Sequence, residues 1–164
     1  MPTLGIPIRT ANAVVTELLA ASFETSVTGK VFREYPIWDE DFKGLDTLRV
    51  SVVYVVHATE VLLDTQNSIQ YLPAIDICIR KRFGIDDDDD TTGKLLLASI
   101  DPLVYLLEQI HEHFIAERNS IPLDDETTAK WLEADIKSWV NLKKLRKGLF
   151  EGVVRITFSI RKTI

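Results

Sequence analysis

Five consecutive aspartates, Asp86 to Asp90, are the most concentrated potential chemistry in this chain, because a hard cation such as calcium is held by several carboxylate oxygens at once. Asp88-x-Asp90-x-Thr92-Gly93 matches the first half of a calcium loop, including the glycine of its sharp turn. The second half fails: the twelfth position is Ser99, which has no bidentate carboxylate, and the preceding segment reads as strand where that motif needs helix. Residues 84–93 are therefore expected to form a mobile acidic loop whose like charges repel, able to order on assembly. His111 and His113 look like a metal pair, but on a helix two residues of separation turn side chains about 200° apart, so they cannot share an ion. His57 sits in the valine strand, where a Ser-His-Asp arrangement has no local support. Cys78, the single cysteine, lies in the apolar run Ile75-Asp76-Ile77-Cys78-Ile79 and reads as a small buried hydrophobe in a reducing compartment. The sequence contains no phosphate-cradling glycine loop, nucleophile elbow or HExxH. It reads as a non-enzyme needing no metal or cofactor; the alternative, a small enzyme or ligand-binding protein, would need a pocket around His57, Asp76 and Arg80.

The elements that must position these residues follow from periodicity. A helix is expected over Thr10 to Ser26, with Ala11, Val14, Val15, Leu18, Leu19 and Ser22 on one stripe. Val31 to Tyr35 reads as a strand stopped by Pro36, followed by a loop to Thr47 in which Trp38 and Phe42 tuck back on the body. Arg49 to Ala58 reads as a central strand with both faces covered. Ile69 to Phe83 alternates, with Ile75, Ile77 and Ile79 on one side and Pro73 marking an edge, bulge or strand start. Asp101-Pro102 is a helix N-cap and first-turn pair, after which Leu103, Leu106, Leu107, Ile110 and Phe114 mark a second amphipathic helix. Leu132 to Val140 alternates as a strand, and Gly148 and Gly152 flank a turn before the cleanest strand, Val153 to Lys162. The fold class is α+β: a mostly antiparallel sheet of about four to five strands with two main helices on one face.

At 164 residues the chain is the size of one domain, so 1–164 is read as a single assembly domain. No apolar run approaches the roughly 18 residues of a membrane span and no signal-peptide pattern is present, so a soluble, cytoplasmic protein is expected. Charge is unevenly distributed. Residues 1–83 carry eight bases and ten acids, 84–140 four and fourteen, and 141–164 seven and one, or −2, −10 and +6, which recovers the overall −6. An acidic middle and a basic tail can attract across copies and favour head-to-tail association; two solvated faces are the alternative. The clusters Arg80-Lys81-Arg82 and Lys143-Lys144-Arg146-Lys147 lack the aromatic interleaving of a single-strand binder, leaving at most passing contact with DNA inside a larger particle.

The element order resembles the tail terminator, or tail-completion, proteins of long-tailed bacteriophages. The likeness is carried by the opening helix, by Val31-Phe32-Arg33-Glu34-Tyr35-Pro36, by the strands Arg49 to Ala58 and Ile69 to Phe83, by the helix after Asp101-Pro102, and by the closing Gly148-Leu149-Phe150-Glu151-Gly152-Val153-Val154-Arg155-Ile156-Thr157-Phe158. The aspartate run and the insertion before Asp101 depart from that pattern. The resemblance implies a virion protein of the tail or neck, made in the host cytoplasm. It would form a six-membered ring on the last ring of the tail-tube protein, stop tube growth and present a surface to the head-tail connector, without chemistry. A head-tail connector or neck protein is the alternative. The residues expected at subunit or partner interfaces are Arg80, Arg82, Arg155, Arg161 and Lys162, set against Asp86, Asp87, Asp88, Asp89 and Asp90.

Overall fold

A computed structural model of the protein describes residues 5–34, 46–83, 90–116, 121–123 and 128–163. Pro7 near the start of helix α1 (Ile6–Ala20) suits its first turn, where a missing N–H costs nothing, so the helix begins four residues before the expected Thr10. It ends at Ala20 because the following Ser22 to Thr28 contains weak helix formers. Ile6, Thr10, Ala11, Ala13, Val14 and Leu18 form its buried stripe, whereas Leu19, expected on that stripe, is 45% exposed and Ser22 is exposed beyond the helix.

Strand β1 (Val31–Glu34) pairs with β2 (Arg49–Tyr54) in parallel, the chain between them being long enough to return in the same direction. The expected loop with Trp38 and Phe42 falls within 35–45, outside the described residues. After β2 a 3₁₀ turn (Val56–Ala58) interrupts what was expected as one strand to Ala58, and β3 (Glu60–Thr65) continues to a hairpin with β4 (Ser68–Leu72). Strand β5 (Ala74–Arg82) follows directly. The pairing of β4 and β5 with the closing strand β8 (Leu149–Thr163) keeps one register from Ser68 opposite Thr163 to Arg82 opposite Leu149. β4 and β5 are thus one extended line, broken only where Pro73 has no N–H to donate; its carbonyl still accepts from the Phe158 N–H at 3.0 Å.

The other side of this line is not in step. Tyr54 faces Ile75 and Glu60 faces Leu72, so six residues advance against three, and the 3₁₀ turn absorbs the surplus. Thr59 closes the gap with its hydroxyl, which accepts from the Ala74 N–H at 3.1 Å and donates to the Val55 carbonyl at 2.9 Å, in place of a backbone rung.

Helix α2 spans Asp90–Ala116 and carries Pro102 in its interior, so Asp101-Pro102 is not its start. The cost is one hydrogen bond, to the carbonyl of Ala98, in a turn whose residues Ala98 and Ser99 are exposed to water. Residues 90–93, expected in the acidic loop, are the first turn of this helix, where a negative charge is favoured by the helix dipole; 84–89 lie outside the described residues. The apolar stripe Leu103, Leu106, Leu107, Ile110 and Phe114 is buried as its spacing predicts. Strand β6 (Ile121–Pro122) pairs briefly with β7 (Thr128–Ser138), and the single-turn helix α3 (Leu142–Leu145), capped by the Asn141 side chain, leads to β8. Gly148, at φ 82°, makes the turn, while Gly152 lies inside β8 and not beside a turn.

The protein is α+β, with eight strands among the described residues in the order β1-β2-β5-β8-β4-β3 and β7 also on β8. Every pairing is antiparallel except β1 with β2, so the sheet is mixed and larger than the four to five strands expected. The helices share one face, α1 over β1 and β2 and α2 over β7 and β8. Between them and the sheet lie Val50, Val52, Ile75, Ile77, Ile79, Val154, Ile156 and Phe158, all fully buried.

Candidate functional site

The pleat sends alternate residues to the face opposite the helices, and several charged side chains there are partnered within the chain. Arg155 on β8 donates to Asp76 on β5 through both Nε (2.7 Å to Oδ1) and Nη2 (3.0 Å to Oδ2), a bidentate pair that raises the arginine's pKa. Arg155 was expected at a subunit interface; its cross-strand register opposite Asp76 places that carboxylate within reach instead. Lys144 binds Glu151 at 2.7 Å, and the Lys137 ammonium holds the Asp135 carboxyl below its ordinary pKa. Burial pushes the Cys78 thiol up to about 12, with the Asp76 carboxylate adding to the shift, which leaves it neutral and a poor nucleophile.

At the β1 edge Glu34 gathers three donors. Arg49 Nε binds Oε1 at 2.6 Å and its Nη2 binds the same oxygen; the Ser51 hydroxyl donates to Oε2 at 2.7 Å. Arg80, 4% exposed, donates through Nη2 to Ser51 Oγ at 2.7 Å and approaches Glu34 Oε2 at 3.3 Å. Arg80, expected at a subunit or partner interface, is therefore buried by its neighbours on β1 and β2. Arg49 also stacks over the Phe32 ring at 4.4 Å.

Of the pocket residues considered for a small enzyme, Asp76 and Arg80 are each bound into a different one of these clusters, and the side chain of His57 is outside the described residues. His111 Nε2 lies 3.0 Å from the Ala134 carbonyl and His113 Nε2 2.9 Å from Glu17 Oε1, so the two point to different elements. A groove of about 350 Å³ runs between α1 and the segment 121–123. Of its charged residues, Arg9 and Glu17, the Glu17 carboxylate is already engaged by His113. Among the described residues no three His, Cys, Asp or Glu side chains converge as metal ligands, and no helix is long and apolar enough to cross a membrane.

What the molecule does present is an arm. β3, β4 and the end of β8 carry the sheet beyond the helices, and Val61, Leu62 and Leu63 stand out at 60%, 45% and 77% exposure. Arg161 and Lys162 are exposed on the same arm. Arg82 is exposed at the far end of β5, thirteen rungs or about 40 Å from Lys162. Asp86 to Asp89 lie outside the described residues, and Asp90 opens α2. The arm's apolar residues escape a reading by alternation because Val61-Leu62-Leu63 is a continuous run on an exposed hairpin; the flanking Glu60 and Asp64 are the only local sign that it faces water.

Compared with known proteins, the chain matches no family model and no curated protein.

Proposed function

We propose that the protein is a structural virion component that forms a ring capping the phage tail tube, ends tube polymerisation and makes the joint to the head connector. The observation that carries this reading is the arm: a sheet extension with Val61 and Leu63 more than half exposed, of the kind that marks a protein interaction site. In this reading the exposed cation Lys162 on the arm faces acidic residues of the next subunit. Arg80 and Arg155 have no part in it, being engaged within the chain.

The test is to add the protein to its particle's polymerising tail-tube subunits. A terminator shortens the tubes and sediments with them at one end. Unchanged tube lengths with no co-sedimentation would sink the proposal, and sedimentation with heads alone would move the protein to the connector reading.

A further inference from the structure

The outer side of α2 carries a stripe opposite its buried one. Asp101, Tyr105, Glu108, Glu112 and Ile115 recur at spacings of four and three and are all exposed, Tyr105 at 45% and Ile115 at 50%. This surface is both acidic and apolar, which a purely solvated helix face does not require. On the arm, cross-strand pairing decides which residues share a face. Val61 lies opposite Tyr71 and Tyr71 opposite Ile160; Leu63 lies opposite Ile69 and Ile69 opposite Lys162. Val61, Leu63, Ile69, Tyr71 and Lys162 therefore stand on one face, and Arg161 on the other. One surface is apolar with a single cation, and the other is acidic with two apolar residues.

We infer that the arm of one copy seats on the outer stripe of α2 of a second copy, with Val61 and Leu63 against Tyr105 and Ile115 and Lys162 among Glu108 and Glu112. The occupant is this chain itself because both complementary surfaces are its own. They are also different surfaces, so the contact is heterologous and repeats head to tail until it closes. This inference rests on the ring reading above and names its interface. Placing the acids on α2 makes the contact independent of the aspartate run. The apolar residues supply the affinity and the ion pairs set the register, since exposed pairs contribute little each.

The experiment is sedimentation velocity and light scattering on the full chain and on variants at exposed positions, where folding is undisturbed; circular dichroism checks this. Leu63→Asp weakens association at least about tenfold, as expected for an apolar anchor turned into a charge. Lys162→Glu weakens it about fivefold, and Arg161→Glu, on the opposite face, has a smaller effect. Combining Lys162→Glu with Glu108→Lys and Glu112→Lys restores association. An assembly that persists unchanged in Leu63→Asp and Lys162→Glu, or that responds equally to Arg161→Glu, overturns this interface while leaving the ring intact. A wild-type protein that stays monomeric at every concentration overturns the ring reading as well.

Discussion

Arg155 and Asp76 show how a residue's register decides its role. Both are less than a quarter exposed, at 23% and 17%, so neither charge is fully solvated and each depends on the other. Replacing Arg155 with Met leaves the carboxylate unpaired and is expected to lower stability by about 2 kcal/mol in urea unfolding, with Arg155→Met/Asp76→Leu recovering most of the loss. Glu34→Gln is expected to cost more, about 3 kcal/mol, because it removes the negative charge shared by Arg49 and the buried Arg80. At Cys78 the raised pKa has a consequence in pH. The folded thiol keeps its proton up to about 12 while the unfolded one loses it near 9.0, so this contribution is intact below pH 9 and lost as pH rises toward 12. Alkylation at pH 8 should accordingly be slow in the native protein and fast in urea; equal rates would show that the thiol is neither buried nor shifted. The pattern of alternating residues was enough to place Asp76, Cys78 and Arg155 on one strand face or another. It could not show that Arg155 stands opposite Asp76, because register between β5 and β8 depends on where distant segments align.

Among the elements, the interrupted line β2–β3 is the most informative. Thr59→Val is expected to cost about 1–2 kcal/mol because the Ala74 N–H and the Val55 carbonyl lose the hydroxyl that joins them. Thr59→Ser should keep most of that stability. Hydrogen exchange reads the effect directly: the Ala74 amide and the arm amides should exchange faster in Thr59→Val than in the wild type, and unchanged exchange would mean that the hydroxyl is not the rung. Gly152 is the second such position. A Cβ there would meet the Trp139 carbonyl oxygen at 3.0 Å and the Leu107 methyls at 3.2 Å, so Gly152→Ala should destabilise by about 1–3 kcal/mol as α2 is pushed off β8. Local patterning located α2's buried stripe, both long strands of the centre and the closing strand, since each has a strong period of its own. It misplaced the start of α2, because Asp101-Pro102 has the chemistry of a helix start while the helix formers before it carry the helix through. It did not resolve β3, whose apolar run has no alternation and whose turn at Gln66-Asn67 lacks glycine. The arm was therefore the least visible part of the candidate site, and its basic tip, Arg161 and Lys162, the most visible.

For the whole molecule, the proposed ring joins the arm of one copy to the acidic outer face of α2 on the next. Because the ionic part of that contact is solvent-exposed, it is screened once the Debye length falls to about 3 Å at molar salt, whereas the apolar part is not. Salt should thus weaken the assembly without abolishing it. The most direct measurement is the mass of the purified full chain by light scattering after size-exclusion chromatography, at low and at molar salt. The proposed ring should appear as a discrete species of six chains at low salt that loosens toward smaller species at molar salt. A monomer at both, across the accessible concentration range, would contradict it.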